Sequence, residues 1–345
     1  CCLFTRSNFK LKTTVMKLKS RLNYRVVLTI LCMQCFAFAS FSQDLKLAQQ
    51  IGSTSDIREV AIDRDASGNI YTIGQFNGTF DIDPGTATTT ISSGGKWGIY
   101  VTKKSSSGVL LDHFYLTTTG SLSATDIKVD VSGNIYICGS KQGTVDFDPS
   151  ASTANLTFNN DVGFVAKYNS AMAYQWAAQS TTGGGSNTGA GLAIDTSGNV
   201  YSGGYHTEQL SPGGLRANGA DFAGYIIKYN STGVHQWTRS YLSSPGALFN
   251  DIELTSSGDV IGVGYYRGAV TSDSRTANVT LPNTFVNKGF MTKLTSSGSL
   301  AVLIAMGGTT VSNISKVEVD AADSLVFAGV YSGTTDFDFL AGTTN

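Results

Sequence analysis

From residue 54 onward, short runs of apolar residues alternate with polar turns along the chain. In residues 125–139 the segment TDIKVD is followed by the turn V-S-G-N and then by NIYICG. Alternation with a period of two is typical of a strand, and Gly-Asn supplies the positive φ that a tight hairpin turn needs. The same pattern continues with GFVAKYN (163–169) and AYQWAAQ (173–179), which are joined by another tight turn. Residues 125–179 therefore predict two antiparallel hairpins, four strands in all.

This four-strand pattern is repeated. The hairpin motif occurs as SGNIYTIG (67–74), SGNIYICG (132–139), SGNVYSGG (197–204), SGDVIGVG (257–264) and, degraded, ADSLVFAG (322–329). A second motif keeps nearly the same step in IYVTKKSSSG (99–108), FVAKYNSAM (164–172), YIIKYNSTG (225–233) and FMTKLTSSG (290–298). Two motifs in step indicate a true internal repeat of about 65 residues.

Four antiparallel strands cannot bury both of their faces alone, so successive repeats are expected to stack around an axis. This arrangement is an all-β fold of the β-propeller type. The blades are predicted at about 54–118, 119–183, 184–243 and 244–308, with a partial fifth at 309–345, so the chain is interpreted as truncated at its C-terminus. LKLAQQIGS (45–53) matches a fourth strand and is predicted to close the ring. A parallel β-helix is the alternative, but its coils are about a third of this length and lack hairpin turns.

The N-terminal region is typical of an export signal. Residues 1–15 are interpreted as upstream sequence, and residues 16–42 as a signal peptide with a basic start and the apolar run VVLTILCMQCFAFAS. Cleavage is expected after Ala39 or Ser42. A membrane anchor is the alternative, but the run is shorter than the roughly 20 residues that a bilayer core needs. The mature protein, residues 43–345, is therefore expected to be secreted or surface-delivered and to have no stable membrane span.

Composition narrows the classes of partner. The chain has 24 Lys and Arg against 25 Asp and Glu, a net charge of -1, and no basic block, which excludes nucleic acid as an expected ligand. Its 41% apolar content is too high for a disordered chain. Once the signal is removed, Cys138 is the one cysteine left in the sequence, so no internal disulfide can form. It is interpreted as a small buried residue.

The repeat resembles a known group. The segments DVSGNIYICGSKQGTVDFDP (130–149) and YIIKYNSTGVHQW (225–237) resemble the bacterial β-propeller repeats called SBBP repeats, which are found in secreted and cell-surface proteins. The resemblance covers about residues 45–345. It implies a propeller and export, and it supplies no catalytic residues.

The loop between the second and third strands carries pairs of acids two residues apart, which are Asp81 and Asp83, Asp146 and Asp148, and Asp336 and Asp338. Carboxylates at i and i+2 of an extended segment point to the same side, so each pair could share a calcium ion with backbone carbonyls. Each pair supplies at most half of the six to eight oxygens that calcium takes. Turn capping by the Asp side chains is therefore the favoured interpretation, and no other cofactor is predicted.

Other recurring side chains also have structural interpretations. Turn capping is expected for Asp65, Asp130, Asp195 and Asp320, and solvated strand ends for Lys103, Lys167, Lys228 and Lys293. Packing between blades is expected for Trp176 and Trp237, whereas Trp97 is the candidate for an exposed stacking platform. His206 and His235 are expected 9 to 10 Å apart, without the third ligand that zinc requires.

These observations favour a monomeric secreted scaffold that binds or displays an extracellular glycan or protein. The alternative is an extracellular polysaccharide hydrolase or lyase that takes its acids from the Asp-rich loops. Acids spread around the rim favour the scaffold, and acids converging on a central pocket favour the enzyme. No catalytic residue is assigned from the sequence.

Overall fold

The computed structural model describes residues 56–182, 187–207, 210–212, 221–272, 279–306 and 311–333. All of them belong to one compact unit, residues 49–345. The expected signal peptide (16–42), the expected closing strand (45–53) and the acids Asp336 and Asp338 lie outside the described residues. Among the described residues, no helix is long and apolar enough to cross a membrane.

The described strands follow the repeat. Repeat 1 contains β1 (Asp56–Arg64), β2 (Ile70–Asp81), β3 (Thr90–Lys104) and β4 (Leu110–Leu116). Repeat 2 contains β5 (Leu122–Val129), β6 (Ile135–Asp146), β7 (Asn155–Tyr168) and β8 (Tyr174–Thr182). Repeat 3 contains β9 (Asn187–Ile194), β10 (Val200–His206), β11 (Leu210–Ser211), β12 (Ala223–Tyr229) and β13 (His235–Ser243). Repeat 4 contains β14 (Gly246–Leu254), β15 (Val260–Ser272), β16 (Thr280–Leu294) and β17 (Leu300–Ala305), and a fifth begins with β18 (Ser312–Val319) and β19 (Leu325–Tyr331).

Neighbouring strands within each repeat pair antiparallel, as the hairpin motifs predict. In repeat 2, Ile127 of β5 faces Ile137 of β6, and Lys167 of β7 faces Trp176 of β8. The prediction of an all-β fold built from antiparallel hairpins is therefore confirmed for the described residues. None of the described sheets closes on itself, so the number of blades and the closure of a ring stay predictions.

The middle strands of repeats 1 to 4 contain runs that are buried on both faces. In β6 the run Ile135–Gly139 is buried at five successive positions, and β12 is buried in the same way from Ala223 to Ile227. A strand with one solvent face would alternate between buried and exposed positions, whereas a strand covered on both sides is continuously buried. The covering layers are the adjacent repeats, so the core lies between the sheets.

The first strands of successive repeats pack against one another. β1 contacts β5, β5 contacts β9, β9 contacts β14, and β14 contacts β18. Side chains of one first strand also bind the main chain of the next. Asp126 Oδ2 accepts a hydrogen bond from the N–H of Leu192 at 3.0 Å, and Asp251 Oδ2 accepts one from the N–H of Val317 at 3.0 Å. These contacts connect the repeats in chain order.

The long hairpin between the second and third strands folds back onto the preceding repeat. In repeat 2, Val145 forms a β-bridge with Thr118, which follows the last strand of repeat 1. In repeat 3, β11 pairs with β8, and in repeat 4 the end of β15 pairs with β13. Each hairpin therefore covers an outer strand edge that would otherwise offer unpaired backbone groups to another chain.

Candidate functional site

The turn between the first and second strands is built in the same way in repeats 1 to 3. In repeat 2, Asp130 Oδ1 accepts the N–H groups of Ser132 and Asn134, each at 2.9 Å. Its Oδ2 accepts the side-chain amide of Asn134 at 2.8 Å and the hydroxyl of Tyr136 at 3.0 Å. Asp65 and Asp195 make the same four bonds with their own neighbours. Turn capping by these acids is confirmed.

This turn differs in the fourth and fifth repeats. Asp320 caps the main-chain N–H groups of Ala322 and Ser324, each at 2.8 Å. In repeat 4, Thr255 occupies the Asp position, and its hydroxyl accepts the N–H of Asp259. In repeat 1, burial acts to raise the pKa of Asp65, but the bonds from Asn69 and Tyr71 outweigh it and lower that pKa. The Asp side chains of these turns are thus structural groups.

The recurring lysines are half-exposed strand ends, and three of the four also contact the next repeat, which the sequence did not predict. The ammonium of Lys167 lies 5.1 Å from the centre of the Tyr136 ring and donates to the carbonyl of Ser231 in the next repeat. Lys103 and Lys228 make the corresponding contacts across the next boundary in each case. Lys293 differs, because it forms an ion pair with Asp259 at 3.0 Å.

The recurring tryptophans fill the same boundaries. Trp176 donates its indole N–H to the carbonyl of Ser231 at 3.1 Å, and its ring lies over Gly233. Gly233 has a φ of 82°, and a Cβ added there would stand 2.7 Å from Cδ2 of Trp176. Trp237 and Gly298 repeat this pair between repeats 3 and 4. The prediction that these tryptophans pack between repeats is confirmed.

The boundary between repeats 1 and 2 departs from this arrangement. Asp112 occupies the Trp position, as its pairing with Lys103 matches the pairing of Trp176 with Lys167. Met172 occupies the Gly position, with a φ of 56° that a bulky side chain rarely adopts. An open cavity of about 690 Å³ lies here. We call it the inter-repeat groove.

The walls of the inter-repeat groove come from both repeats. Repeat 1 contributes β4 and the residue after it, from Asp112 to Thr117, and repeat 2 contributes the hairpin segment 146–150 and the turn 171–174. Phe114 and Tyr168 stack at its base, with their ring centres 4.3 Å apart. Tyr115 is 39% exposed, and Tyr174 is half-buried. The groove thus combines carboxylates with Tyr174, whereas the ring of Tyr115 packs against Phe76.

Two of the predicted acid pairs lie in the folded-back hairpins. In repeat 2, Asp146 Oδ1 accepts the N–H groups of Asp148 (3.0 Å) and Ala154 (2.8 Å), and Asp148 Oδ1 accepts that of Ser150 (2.9 Å). In repeat 1, Asp81 and Asp83 make the equivalent bonds with Asp83, Thr89 and Gly85. Capping of the hairpin tip by both pairs is confirmed. Calcium binding is a separate claim and stays a prediction.

The two pairs differ in their surroundings. Asp146 and Asp148 line the inter-repeat groove, whereas Asp81 and Asp83 belong to the hairpin of the first repeat and do not line it. Among the described residues, no three His, Cys, Asp or Glu side chains meet in an arrangement that could hold a metal ion. The two predicted acid pairs within the described residues therefore do not line the same groove.

A second group of charges lies on the first strands. Lys128 of β5 forms an ion pair with Glu253 of β14, and Lys316 of β18 forms one with Asp251 at 3.2 Å. Asp126 is 7% exposed, and burial raises the pKa of its carboxyl to about 6 although Lys128 and Lys316 act to lower it. These groups join three repeats through their first strands. Sequence reasoning missed this network, because strands 125 residues apart contribute to one ion pair.

Three further residues were assigned from the sequence. His206 faces Ala223 and His235 faces Tyr229 on the shared neighbour β12, so the two histidines lie near opposite ends of that strand, about 20 Å apart. The expected spacing of 9 to 10 Å is wrong, because it placed both in one row across the sheet. Trp97 is half-buried, and Arg58 covers one of its faces at 4.7 Å, so it is not an exposed platform.

Cys138 is buried as predicted. Its Sγ lies 3.3 Å from the hydroxyl of Thr125, and burial raises the pKa of the thiol to about 12. A thiol with so high a pKa is not a nucleophile at neutral pH.

Compared with known proteins, the chain matches no protein-family model, and the search of curated proteins found no match. The case for a site therefore depends on the geometry of this chain alone.

Sequence reasoning also missed the groove, although its signal is present in the repeat. Asp112 and Met172 are the residues that break the Trp and Gly registers, and they break them at the same boundary. Aligning the repeats by strand register would have identified this pair, once positions that face each other across a boundary were compared.

Proposed function

We propose that the protein is a secreted or surface-delivered β-propeller that serves as a binding scaffold, and that the inter-repeat groove takes an extracellular glycan. The predicted export signal and the resemblance of the repeat to SBBP repeats support the proposed location and fold class. The succession of first strands and the hairpins that cover each outer edge support a propeller, because both features place every repeat face to face with the next.

Exposed apolar residues on the two terminal repeats support closure of the ring. Ile62 of repeat 1 is 68% exposed, whereas the equivalent Ile127, Leu192, Ile252 and Val317 are at most 2% exposed against the preceding repeat. On the fifth repeat, Val326 is 61% exposed where repeats 1 to 3 bury a tyrosine. Each face has the chemistry of an internal boundary, so we infer that further blade-like sheet covers both and completes the ring.

The binding function is proposed from one observation: the boundary between repeats 1 and 2 lacks both the Trp and the Gly of the regular boundaries. At the boundary between repeats 2 and 3 Trp176 packs on Gly233, and the cavity of about 410 Å³ at that boundary is lined by other residues. Where Asp112 and Met172 replace this pair, a groove of about 690 Å³ opens beside them. This volume lies within the range of small-molecule sites, which is about 300 to 1,000 Å³. Carboxylates can accept hydrogen bonds from sugar hydroxyls, and tyrosine rings offer apolar surface to the C–H face of a sugar.

The test is a glycan array probed with the mature chain and with a variant that restores the regular boundary, Asp112→Trp/Met172→Gly. We expect the wild type to retain a defined set of glycans and the variant to lose them while its melting temperature is kept or raised. Retention of the same glycans by the variant would remove the groove from the proposal. The same oligosaccharides, analysed for cleavage products after incubation, test the hydrolase or lyase alternative.

A further inference from the structure

The hairpin of repeat 2 bends at a β-bulge that contains a buried lysine. The ladder between β6 and β7 shifts register between Lys141 and Gly143, and Gly143 has a φ of 79°. Lys141 is 0% exposed, and its ammonium donates to the carbonyls of Leu156 at 3.0 Å and Gly143 at 3.4 Å. One side chain thus connects the two strands of the hairpin at the bulge.

Neither of these acceptors is charged. In the part of the chain that the structure describes, Lys141 forms no ion pair, and it faces Leu122 on β5 and Val162 on β7. Burial lowers the pKa of Lys141 to about 8. An ammonium group that is buried against neutral acceptors has lost more hydration than two hydrogen bonds return, so exposure to water favours its charged form.

The charged side chains of the segments around the bulge are engaged elsewhere. Asp161 on β7 is exposed and accepts a hydrogen bond from the linker between repeats 1 and 2. Lys96 of repeat 1 donates to the carbonyl of Thr119 in that linker, and Asp146 caps the hairpin tip. The charge of Lys141 is therefore not compensated by an acid.

The corresponding position of repeat 1 is apolar. Phe76 and Lys141 each lie two residues after the glycine that ends the hairpin motif, and Phe76 is also 0% exposed. Phe76 faces Gly98 across the ladder, so that pair contains no titratable group. The hairpin of repeat 1 also has a register shift here, with a φ of 102° at Gly78. The two hairpins thus share the bulge and differ in the charge buried beside it.

We propose that the hairpin of repeat 2, residues 142–161, is a hinged flap whose opening is favoured by the charge on Lys141. Segment 146–150 of this flap forms one wall of the inter-repeat groove, and Val145 forms a β-bridge with the chain that follows β4. Opening at the bulge hydrates the ammonium group and releases both contacts. The flap would act in this way whatever the groove binds.

The direction of the pH dependence follows from the two states of the flap. In the closed flap the pKa of Lys141 is about 8, and in the open flap the exposed amine has its usual pKa of 10.5. Opening therefore takes up a proton between these values, and the equilibrium constant for opening rises as the pH falls from about 10.5 to about 8. Between pH 9 and pH 7 it should rise roughly tenfold, and it should level off at lower pH.

The experiment is amide hydrogen exchange of the mature chain at pH 7, 8 and 9. Protection factors, which are exchange rates relative to an unfolded chain at the same pH, are compared for residues 142–161 and for residues 78–97 of the repeat 1 hairpin. We expect the protection of the repeat 2 hairpin to fall roughly tenfold from pH 9 to pH 7, and that of the repeat 1 hairpin to stay constant. Lys141→Met should abolish this pH dependence, because it removes the titrating group and keeps the apolar stem.

Two further variants make the result specific. Lys141→Gln is neutral and keeps a donor for the two carbonyls, so it should also abolish the pH dependence. Lys228→Met removes the same charge at a half-exposed lysine of repeat 3 and should keep it. Thermal melts verify that each variant is folded. Constant protection of the wild-type hairpin from pH 7 to pH 9 would overturn the proposal, and so would an equal fall in the repeat 1 hairpin or a fall that persists in both Lys141 variants.

Discussion

Two boundaries between repeats of this molecule are packed by different side chains. Between repeats 2 and 3, the ring of Trp176 lies on Gly233, and its indole N–H binds the next repeat. Between repeats 1 and 2, Asp112 and Met172 replace this pair, and a groove takes the place of the indole ring. The strands, their pairing and the Lys contact across the boundary are the same in both.

The comparison shows which parts of a repeat are needed for stacking. The Lys bridge, the capped turn and a shared apolar core are all kept at the irregular boundary, so adjacent repeats stay together there without the Trp. At that boundary both the Trp and the Gly positions have changed, the strands are intact, and the groove lies beside the changed residues. A repeat protein can acquire a site in this way at one boundary while its other boundaries keep the fold.

The largest effect is expected from transferring the irregular residue to a regular boundary. Gly233→Met places a side chain at a φ of 82° and directly against Trp176, so strain and overpacking act together. We expect a loss of about 4 kcal/mol in the free energy of unfolding, measured with urea. The reverse exchange, Met172→Gly, relieves a positive φ and should change stability much less. Similar losses for the two variants would show that the boundaries are not different in kind.

The hairpins and turns of this fold were predictable because their causes are local. A Gly-Asn turn between alternating segments requires a hairpin, and an Asp four residues before Asn134 is within reach of its amide. Trp176 and Trp237 were predictable for a related reason, since their identical register implies a shared boundary role.

Features that depend on facing repeats were not predictable in the same way. The fold-back of the hairpin at Gly143 and the pairing of Lys128 with Glu253 require knowledge of the angle between sheets. The predicted spacing of His206 and His235 was wrong for a related reason, because membership of one sheet does not fix the position of a residue along its strand. The proposed binding groove, in turn, lies where two residues depart from the repeat, and a search for regularity does not find such departures.

A somewhat smaller, pH-dependent change in the free energy of unfolding is expected at the regular boundary between repeats 2 and 3. Asp126 bridges β5 and β9, and the first repeat has Ala61 in its place. Its folded pKa of about 6 lies above the usual 3.8, so the native state holds the proton more tightly than the unfolded chain. Above pH 6 the buried Asp126 carboxyl is ionised, and its burial lowers the free energy of unfolding. As the pH falls from about 6 to about 4 the carboxyl takes up a proton, and the free energy of unfolding rises by up to about 3 kcal/mol.

The measurement is urea unfolding of wild type and Asp126→Asn at several pH values. The Asn variant should be the more stable one at neutral pH, and the difference should shrink as the pH falls through 6. Asp161→Asn, at an exposed acid, serves as the control. Parallel stability curves for wild type and Asp126→Asn would show that Asp126 does not titrate in this range.

Substitutions in the capped turns should lower stability equally in repeat 1 and in repeat 2. Asp65 belongs to repeat 1 and Asp130 to repeat 2, the two repeats that form the groove, and they make the same four hydrogen bonds. Alanine at either position should cost about 1 to 2 kcal/mol, as the loss of a strong cap does. Asp320→Ala should cost less, because its turn lacks the Asn and Tyr partners. A clear difference between Asp65→Ala and Asp130→Ala in urea unfolding would mean that the groove has altered the turn as well.

The smallest effect concerns calcium. Asp81 with Asp83 and Asp146 with Asp148 cap their hairpin tips in the same way, and each pair contributes fewer oxygens than the six to eight that calcium takes. A ligand of the native state raises the melting temperature in proportion to its occupancy, so millimolar calcium would stabilise a protein with a real site. We expect wild-type melts in calcium and in chelator to superimpose, and Asp146→Ala/Asp148→Ala to melt lower by the same amount in both buffers. A calcium-dependent gain that disappears in that double variant, but persists in Asp81→Ala/Asp83→Ala, would instead place an ion in the groove, where the two boundaries differ most.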